Sequence, residues 1–425
     1  MYKEILIQGL NSKTKQERLD NLRKLMKLYE SGELSRPVAT QNVNNHIHTT
    51  YSFSPYSPTM AVYMAWNSGL TTAGIMDHDS MGGAEEFIEA GKIIGIATTI
   101  GFECRVKMTG SQYYERRFNN PDQKSVAYVT LHGIPHQNIA KAQAFLKPFS
   151  EKRNLRNRKM IDKINDLIKD TGISIDFDKD VEPISLSCDG GSITERHILY
   201  ALAQKIICKY KKGEGVVSFL EKSLDISLGE KIKGYLLDEN NTCYAYDLLG
   251  ALKGNMVEKF YIDADEECPD VDDYIRFAKE IGGISAYAYL GDIKSSVTGD
   301  KKAQSFEDEF LDGLIPELKE IGFNSITYMP TRNTMDQLMK LMKMCDDNGL
   351  FQISGEDVNS PRQSFICEAL SKNEFSHLIS STWALIGHER AATNNIDDGM
   401  FSRKTTDQFP DLKSRINHYE KIGRE

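Results

Sequence analysis

Apolar residues recur at two spacings along this chain, and the switches between them divide it into parts. Leu19, Leu22, Leu25, Met26 and Leu28 fall three and four apart and stop at Gly32, the pattern of an amphipathic helix. Residues 1–40 are therefore read as a helical leader packed on the outside of the main unit. Between 41 and 147, short apolar runs alternate with helical patterns. Ser57 followed by Pro58 opens a helix that Gly69 closes, a cap residue with proline at the first helical position. Residues 70–76, 96–100 and 126–131 read as strands, and Ser80 as the cap of a helix reaching Ile94. Within 148–278 strands become scarce. Met160, Ile161, Ile164, Leu167 and Ile168 line one helix, and Thr194 caps another carrying Ile198, Leu199, Leu202 and Ile206. Alternation resumes over 279–390, with strands at 284–290, 326–329 and 351–354, helices at 306–321 and 335–345, and a closing helix at 375–390. Residues 391–425 are read as a C-terminal tail. The fold class is α/β: a parallel sheet or barrel in two halves, interrupted by a mostly helical insert.

Composition narrows the function classes. Hydrophobic residues make up 40% of the 425 and charged residues 27%, enough apolar material for a large core. The net charge of −9, from 52 basic and 61 acidic residues, disfavours duplex nucleic acid and anionic membranes as partners. The densest basic stretch, residues 152–159, reads first as a solvated helix face and second as a phosphate-facing patch. Seven scattered cysteines without a C-x-x-C pair point to a reducing compartment. There is no apolar leader segment and no stretch near 18 apolar residues, so the expected location is the cytoplasm. Nothing in the pattern bears on oligomeric state.

Four residue sets stand where strands are expected to end. His46 and His48 lie two apart on an extended segment and project to one face, as metal ligands or as core histidines. Asp77-His78-Asp79 follows the run at 73–76, as a site or as a capped turn. Glu103 and His132 end the next two strand patterns. Separately each has an ordinary explanation; together they point to one rim.

On these residues the chain resembles the PHP superfamily of polymerase-associated and histidinol-phosphatase domains. The run His46 to Pro58 is similar to H-x-H-S-x-x-S-D-G-x-x-S-P, residues 77–80 to D-H-D-[ST], residues 101–103 to G-x-E, and His132 to the next strand-end histidine. The segment 195–202, Glu-Arg-His-Ile-Leu-Tyr-Ala-Leu, resembles the R-P-H-I-A-x-A-L of a subgroup similar to nucleoside-monophosphate and short-oligonucleotide phosphoesterases. The resemblance implies a distorted (β/α)7 barrel carrying a three-metal cluster. It also implies that Arg196 and His197 face a substrate phosphate, which a helix first turn favours, although His197 could equally pack or cap.

The departures are as informative. Phe53 stands where the family has aspartate, Tyr289 where it has the histidine of A-H-P-G, and Asn359 where it has the histidine of G-S-D-x-H. By family analogy one site keeps His46, His48, Glu103 and Asp357, a second keeps Glu103 and His132 but loses a ligand to Tyr289, and a third keeps His78 alone. Phenylalanine cannot coordinate, Asn is a poor ligand, and Tyr would need a strongly lowered pKa. Asp79, Glu356 or Asp292 could stand in. The cofactor expected is a divalent ion (Zn, Mn or Fe) at the four-ligand site, with a second at Glu103 and His132. His78, Asp79 and His132 are the candidate catalytic residues.

The function these readings imply is metal-dependent hydrolysis of a small phosphate ester such as a nucleotide. Two rivals stand beside it: a degenerate barrel that binds a phosphorylated ligand or partner without turnover, and a metal hydrolase of non-phosphate substrates on a similar barrel.

Overall fold

The structure is a computed structural model that describes residues 2–293 and 305–425. The leader is two helices, α1 (Tyr2–Gly9) and α2 (Lys15–Glu30), the second opened by a capping box between Thr14 and Glu17. Then come α3 (Pro58–Asn67), capped by Ser57 as expected, β1 (Thr72–His78), α4 (Ala84–Ile94), β2 (Ala97–Lys107) and β3 (Val126–His132). The helical stretch comprises α5 (Ile139–Ile168), α6 (Glu195–Tyr210), α7 (Glu214–Ser223), α8 (Glu230–Leu237), α9 (Tyr244–Phe260) and α10 (Val271–Ile281). Alternation returns with β4 (Ile284–Ala288), α11 (Leu311–Ile321), β5 (Ser325–Tyr328), α12 (Met335–Asp347) and β6 (Phe351–Ser354). The chain closes with α13 (Ser376–Asn394), α14 (Arg403–Gln408) and α15 (Leu412–Arg424).

Among the described residues the strands form one curled sheet in the order β1-β2-β3-β4-β5-β6. The expected α/β fold is present as this curled sheet; of the distorted (β/α)7 barrel, six strands stand among the described residues, and β3 runs antiparallel to both neighbours. The physical cause lies in the connections. A parallel partner needs a crossover of a dozen or more residues, usually helical, whereas 108–125 holds only turns. Ile47 makes single bridges to Ile75 in β1 and to Val358 just beyond β6, so one residue links the two edges of the sheet.

The reversal moves Glu103 off the position expected for it and sets how His132 meets it. Glu103 is not at a strand end but inside β2, which continues to Lys107 because β3 pairs with it that far. His132 does end β3, yet it pairs with Gly101, two residues before Glu103. Both side chains still share a sheet face, since residues two apart alternate back to it. Gly101 is required here: a Cβ would lie 2.2 Å from the Leu131 carbonyl oxygen.

Three further expectations shift. Ser80 does not cap α4: Gly83 precedes that helix, and the Ser80 hydroxyl donates to the Gly190 carbonyl instead. α5 runs unbroken across 147–148, and Pro148 removes one donor without ending it. α10 packs into the sheet's core rather than that of the helical insert, so the insert's own core closes at Phe260. Residues 391–425 form helices packed on α13 around Leu385, Met400 and Tyr419. The leader belongs to the sheet's core through Leu6, Leu19, Leu22 and Leu25, and it is pinned by the buried Arg18–Glu86 ion pair.

Candidate metal centre

His46 and His48 are held by both sheet edges. Ile47 N donates to Gly74 O (2.9 Å), and His48 N donates to Val358 O (3.0 Å). Asn44 Oδ1 accepts from His46 N at 2.9 Å while its amide donates to Glu356 O. Gly355 permits this approach, because a Cβ there would stand 2.5 Å from His46 Cβ.

The donor atoms of His46, His48 and Glu103 lie within 4.8 Å of one another, all buried. Glu103 Oε2 is 3.6 Å from His46 Nε2, 3.9 Å from His48 Nε2 and 3.0 Å from His78 Nδ1. His48 Nε2 is 3.1 Å from Asp357 Oδ1 but forms no aligned hydrogen bond. Ligands around one tetrahedral ion stand roughly 3.3 Å apart, and these separations bracket that value. His132 Nδ1 is likewise buried without a partner, while its Nε2 lies 2.8 Å from Thr130 Oγ1. Two unpartnered imidazole nitrogens beside two carboxylates fit a divalent cation, because such buried polar atoms are otherwise satisfied.

Charge follows the same geometry. Burial alone would raise the Glu103 carboxyl, but His78 and His46 hold it below the usual carboxylate range. Asp357 also lies well below that range, with His48 overcoming its burial. Burial pushes the His132 imidazole down to about 3 and, together with His78, lowers His48; His46 is raised because Glu103 outweighs its burial. Both carboxylates are thus held ionised, while His48 and His132 are held toward the neutral imidazole, the forms that ligate metals.

The sequence alone did not disclose how this cluster is supported. Asp77 accepts from Thr49 N, Thr49 Oγ1 and Ser52 Oγ, each at 2.6 Å. Ser52 Oγ in turn lies 3.3 Å from His48 Nδ1, so a carboxylate orients a candidate ligand through one hydroxyl. The spacing of Asp77 and Ser52 gives no hint of this, since their meeting depends on Ile47 lying along β1.

The other candidates divide. His78 stacks on His48 at 4.5 Å between centroids and contacts Glu103. Asp79 has a left-handed backbone (φ 47°), donates its N–H to Glu103 O, and forms a buried ion pair with Arg153. It is turned away from the ligand cluster. Glu356 is taken by Thr331 and Asp292 by the Phe306 N–H. Tyr289 is buried, donates its hydroxyl to Asp308 at 2.7 Å, and has its pKa raised by burial and that bond, the opposite of what a phenolate ligand needs. Asn359 is buried with its amide donating to Asp357 Oδ1. Phe53 has left the cluster and packs in the core of the helical insert against His197, Tyr200 and Tyr246.

His197 takes the packing and capping alternative: it is buried, and its Nδ1 accepts from Thr194 N at 3.1 Å. Arg196, in the first turn of α6, is half-buried and, among the described residues, forms no ion pair or hydrogen bond. Its charge reaches Asp357. The basic stretch 152–159 fits neither reading as a whole. Arg158 and Lys159 are exposed, but Arg153 and Arg156 are buried, bound to Glu267 with Arg105, and Arg156 also pairs with Glu195.

A curled sheet in a mixed α/β fold carries a buried imidazole–carboxylate cluster that could hold a metal ion. The chain belongs to the PHP domain family, whose model matches residues 44–424. The match runs through the C-terminal helices and begins after the leader. Solved structures that share the fold include the following two. A candidate metal-dependent phosphoesterase from Bifidobacterium adolescentis is 18% identical with a TM-score of 0.52, covering 81% of this chain and 96% of that one. An amidohydrolase from Chromobacterium violaceum, with bound sulfate and no metal, is 17% identical with a TM-score of 0.51, covering 77% and 90%. No curated protein matches. Among the described residues no helix is long and apolar enough to cross a membrane.

Proposed function

We propose that this chain is a metal-dependent phosphoesterase that hydrolyses a small phosphate ester such as a nucleotide. Family membership, the description of the Bifidobacterium neighbour and the ligand cluster support the class. The observation that carries the reading is Arg196: a half-buried guanidinium with no partner among the described residues, at a helix N-terminus, with its charge felt at Asp357. Guanidinium and helix end are both suited to a phosphate.

His46, His48, Glu103 and Asp357 would hold the ion, with His132 next to Glu103 as the place for a second. Zn, Mn and Fe all suit this donor set. When bound, such an ion polarises a phosphoryl oxygen and lowers the pKa of a coordinated water. Arg196 orients the phosphoryl group. His78 is the proton carrier to the leaving group, since its Nδ1 is set against Glu103 and it is not fully enclosed. Asp79 is committed to Arg153, and His132, neutral at pH 7, serves as ligand rather than acid.

The test is phosphate release from a panel of small esters with Mn or Zn, together with elemental analysis expected to find one firmly held ion per chain. Arg196→Ala should raise KM with little effect on kcat, whereas Glu103→Ala should lose both ion and turnover. Absence of metal-dependent release across the panel would overturn the reading in favour of a phosphate-binding protein without turnover.

A further inference from the structure

The sheet face that carries the metal cluster continues past it. Arg105 lies two residues beyond Glu103 in β2, and its cross-strand partner Tyr128 lies two before Thr130 in β3. Residues two apart share a face, and so do residues directly opposite in an antiparallel pair. Arg105 and Tyr128 therefore form the next row on the cluster's side, about 7 Å along the strands from the row of Glu103 and Thr130. Over this row the insert brings the start of α6 with Arg196, and α9 with Lys253 and Val257 at a spacing of one turn. A pocket of about 60 Å³ lies between them, and His78 completes its lining. Two of these residues tie the pocket to the cluster. His78 Nδ1 lies 3.0 Å from Glu103 Oε2 while its ring stands 6.2 Å from that of Tyr128, and the charge of Arg196 helps to lower the Asp357 carboxyl.

The charges of the pocket suit an anion. Arg105, Arg153 and Arg156 are matched by Asp79, Glu195 and Glu267, so the balance of the wall is Arg196 and Lys253 against Asp122. Arg105 is only 3% exposed and spends its terminal nitrogens on Tyr261 and Glu267, yet its Nε is buried without a hydrogen-bond partner. Such buried N–H groups are otherwise satisfied, so this donor points to an acceptor from outside the chain. Burial holds the Tyr128 phenol well above its usual pKa, which makes it a donor as well. Size narrows the acceptor. A water needs roughly 10–15 Å³, so about 60 Å³ admits on the order of four to six atoms of that size, a phosphoryl group and little more.

We propose that this pocket seats the oxygens of a terminal phosphoryl group, with Tyr128 and Arg105 as donors to them, and that the chain therefore acts on phosphate monoesters and rejects diesters. This rests on the phosphoesterase reading. A diester carries an alkyl group on one of those oxygens. It brings less charge to Arg196 and Lys253, finds no room for the added group, and leaves a buried donor unpaired, which costs more than the contact it forgoes.

The experiment uses the Mn-loaded full chain. Calorimetry measures binding of inorganic phosphate and of dimethyl phosphate, and kcat/KM is measured for phenyl phosphate and methyl phenyl phosphate, which share a leaving group. The parent should bind phosphate but not dimethyl phosphate, and should favour the monoester roughly 100-fold or more. Tyr128→Phe should weaken phosphate roughly 10–100-fold and raise KM for phenyl phosphate in step, as for a lost hydrogen bond to a charged group. Lys253→Gln, on the opposite wall, should weaken phosphate too and keeps the test open should Tyr128→Phe fold poorly. Unchanged phosphate binding in both variants, or a diester bound and hydrolysed as well as the monoester, would overturn the proposal. So would an equal loss on both esters in Tyr128→Phe, the mark of a merely structural role. If phosphate binds through Tyr128 while no ester is hydrolysed, the phosphoesterase reading fails and the pocket assignment stands. If monoesters are hydrolysed with no effect of either variant, the pocket assignment fails alone.

Discussion

His48 illustrates how much of this site depends on a neighbour's neighbour. Its Nδ1 meets Ser52, Ser52 donates to Asp77, and Asp77 also holds the backbone of Thr49. Asp77→Asn keeps the shape but turns an amide toward donors that need an acceptor. Metal affinity should fall by roughly 10–100-fold, as for other supporting carboxylates of histidine ligands, and titration of the apo protein with Zn or Mn would measure it. Unchanged affinity would mean that the Asp77–Ser52 chain does not orient His48. The candidate ligands His46 and His48 were legible because spacing of two on an extended segment fixes a shared face. Arg153 was not. A run rich in Lys and Arg looks solvent-facing, and its partners Asp79 and Glu267 are far away in sequence.

Among the elements, β3 and α5 decide where the site sits. Periodicity revealed β3 as a strand but says nothing about direction, and the antiparallel pairing with β2 and β4 places His132 beside Glu103. α5 crosses from barrel to insert as one helix of 30 residues and carries Arg153 and Arg156 into the buried ion network. Arg153→Leu would leave Asp79 charged and enclosed with no counter-ion. The expected loss is about 3–5 kcal/mol of unfolding free energy, read from urea denaturation. A loss below about 1 kcal/mol would show that Asp79 reaches water or another cation. The helical insert was legible from its spacing of three and four, whereas its end was not. α10 has the same periodicity as the insert helices, and only its apolar partners, in the sheet's core, show where it belongs.

For the whole molecule, acid is the natural stress. His388, inside α13, is buried, accepts from Met400 N at 2.9 Å, and has its pKa pushed by burial from 6.5 to about 4. A depressed folded value means that the unfolded chain takes up the proton first. This contribution is therefore complete above pH 6.5 and is lost as pH falls toward about 4. Glu307, raised by burial from 4.5 to about 7, works the other way and weakens the fold as pH rises through that range. His388→Gln keeps an acceptor for Met400 and removes this titration, so the gap between urea midpoints at pH 4.5 and 7 should narrow, with buried His132 and His197, both lowered to about 3, keeping the remainder. An unaltered gap would assign the acid sensitivity elsewhere. One further consequence follows from the short segment around Ile47, which joins the two edges of the sheet. A hoop closed by so short a latch breathes at the latch, and here the latch lies between two candidate metal ligands. The amides of His48, Met76 and Val358, bonded across it, should exchange with deuterium quickly in apo protein and slowly once Zn or Mn is added, because an ion held there would also keep the hoop shut. Equal exchange in both states would show that the hoop stays closed without help.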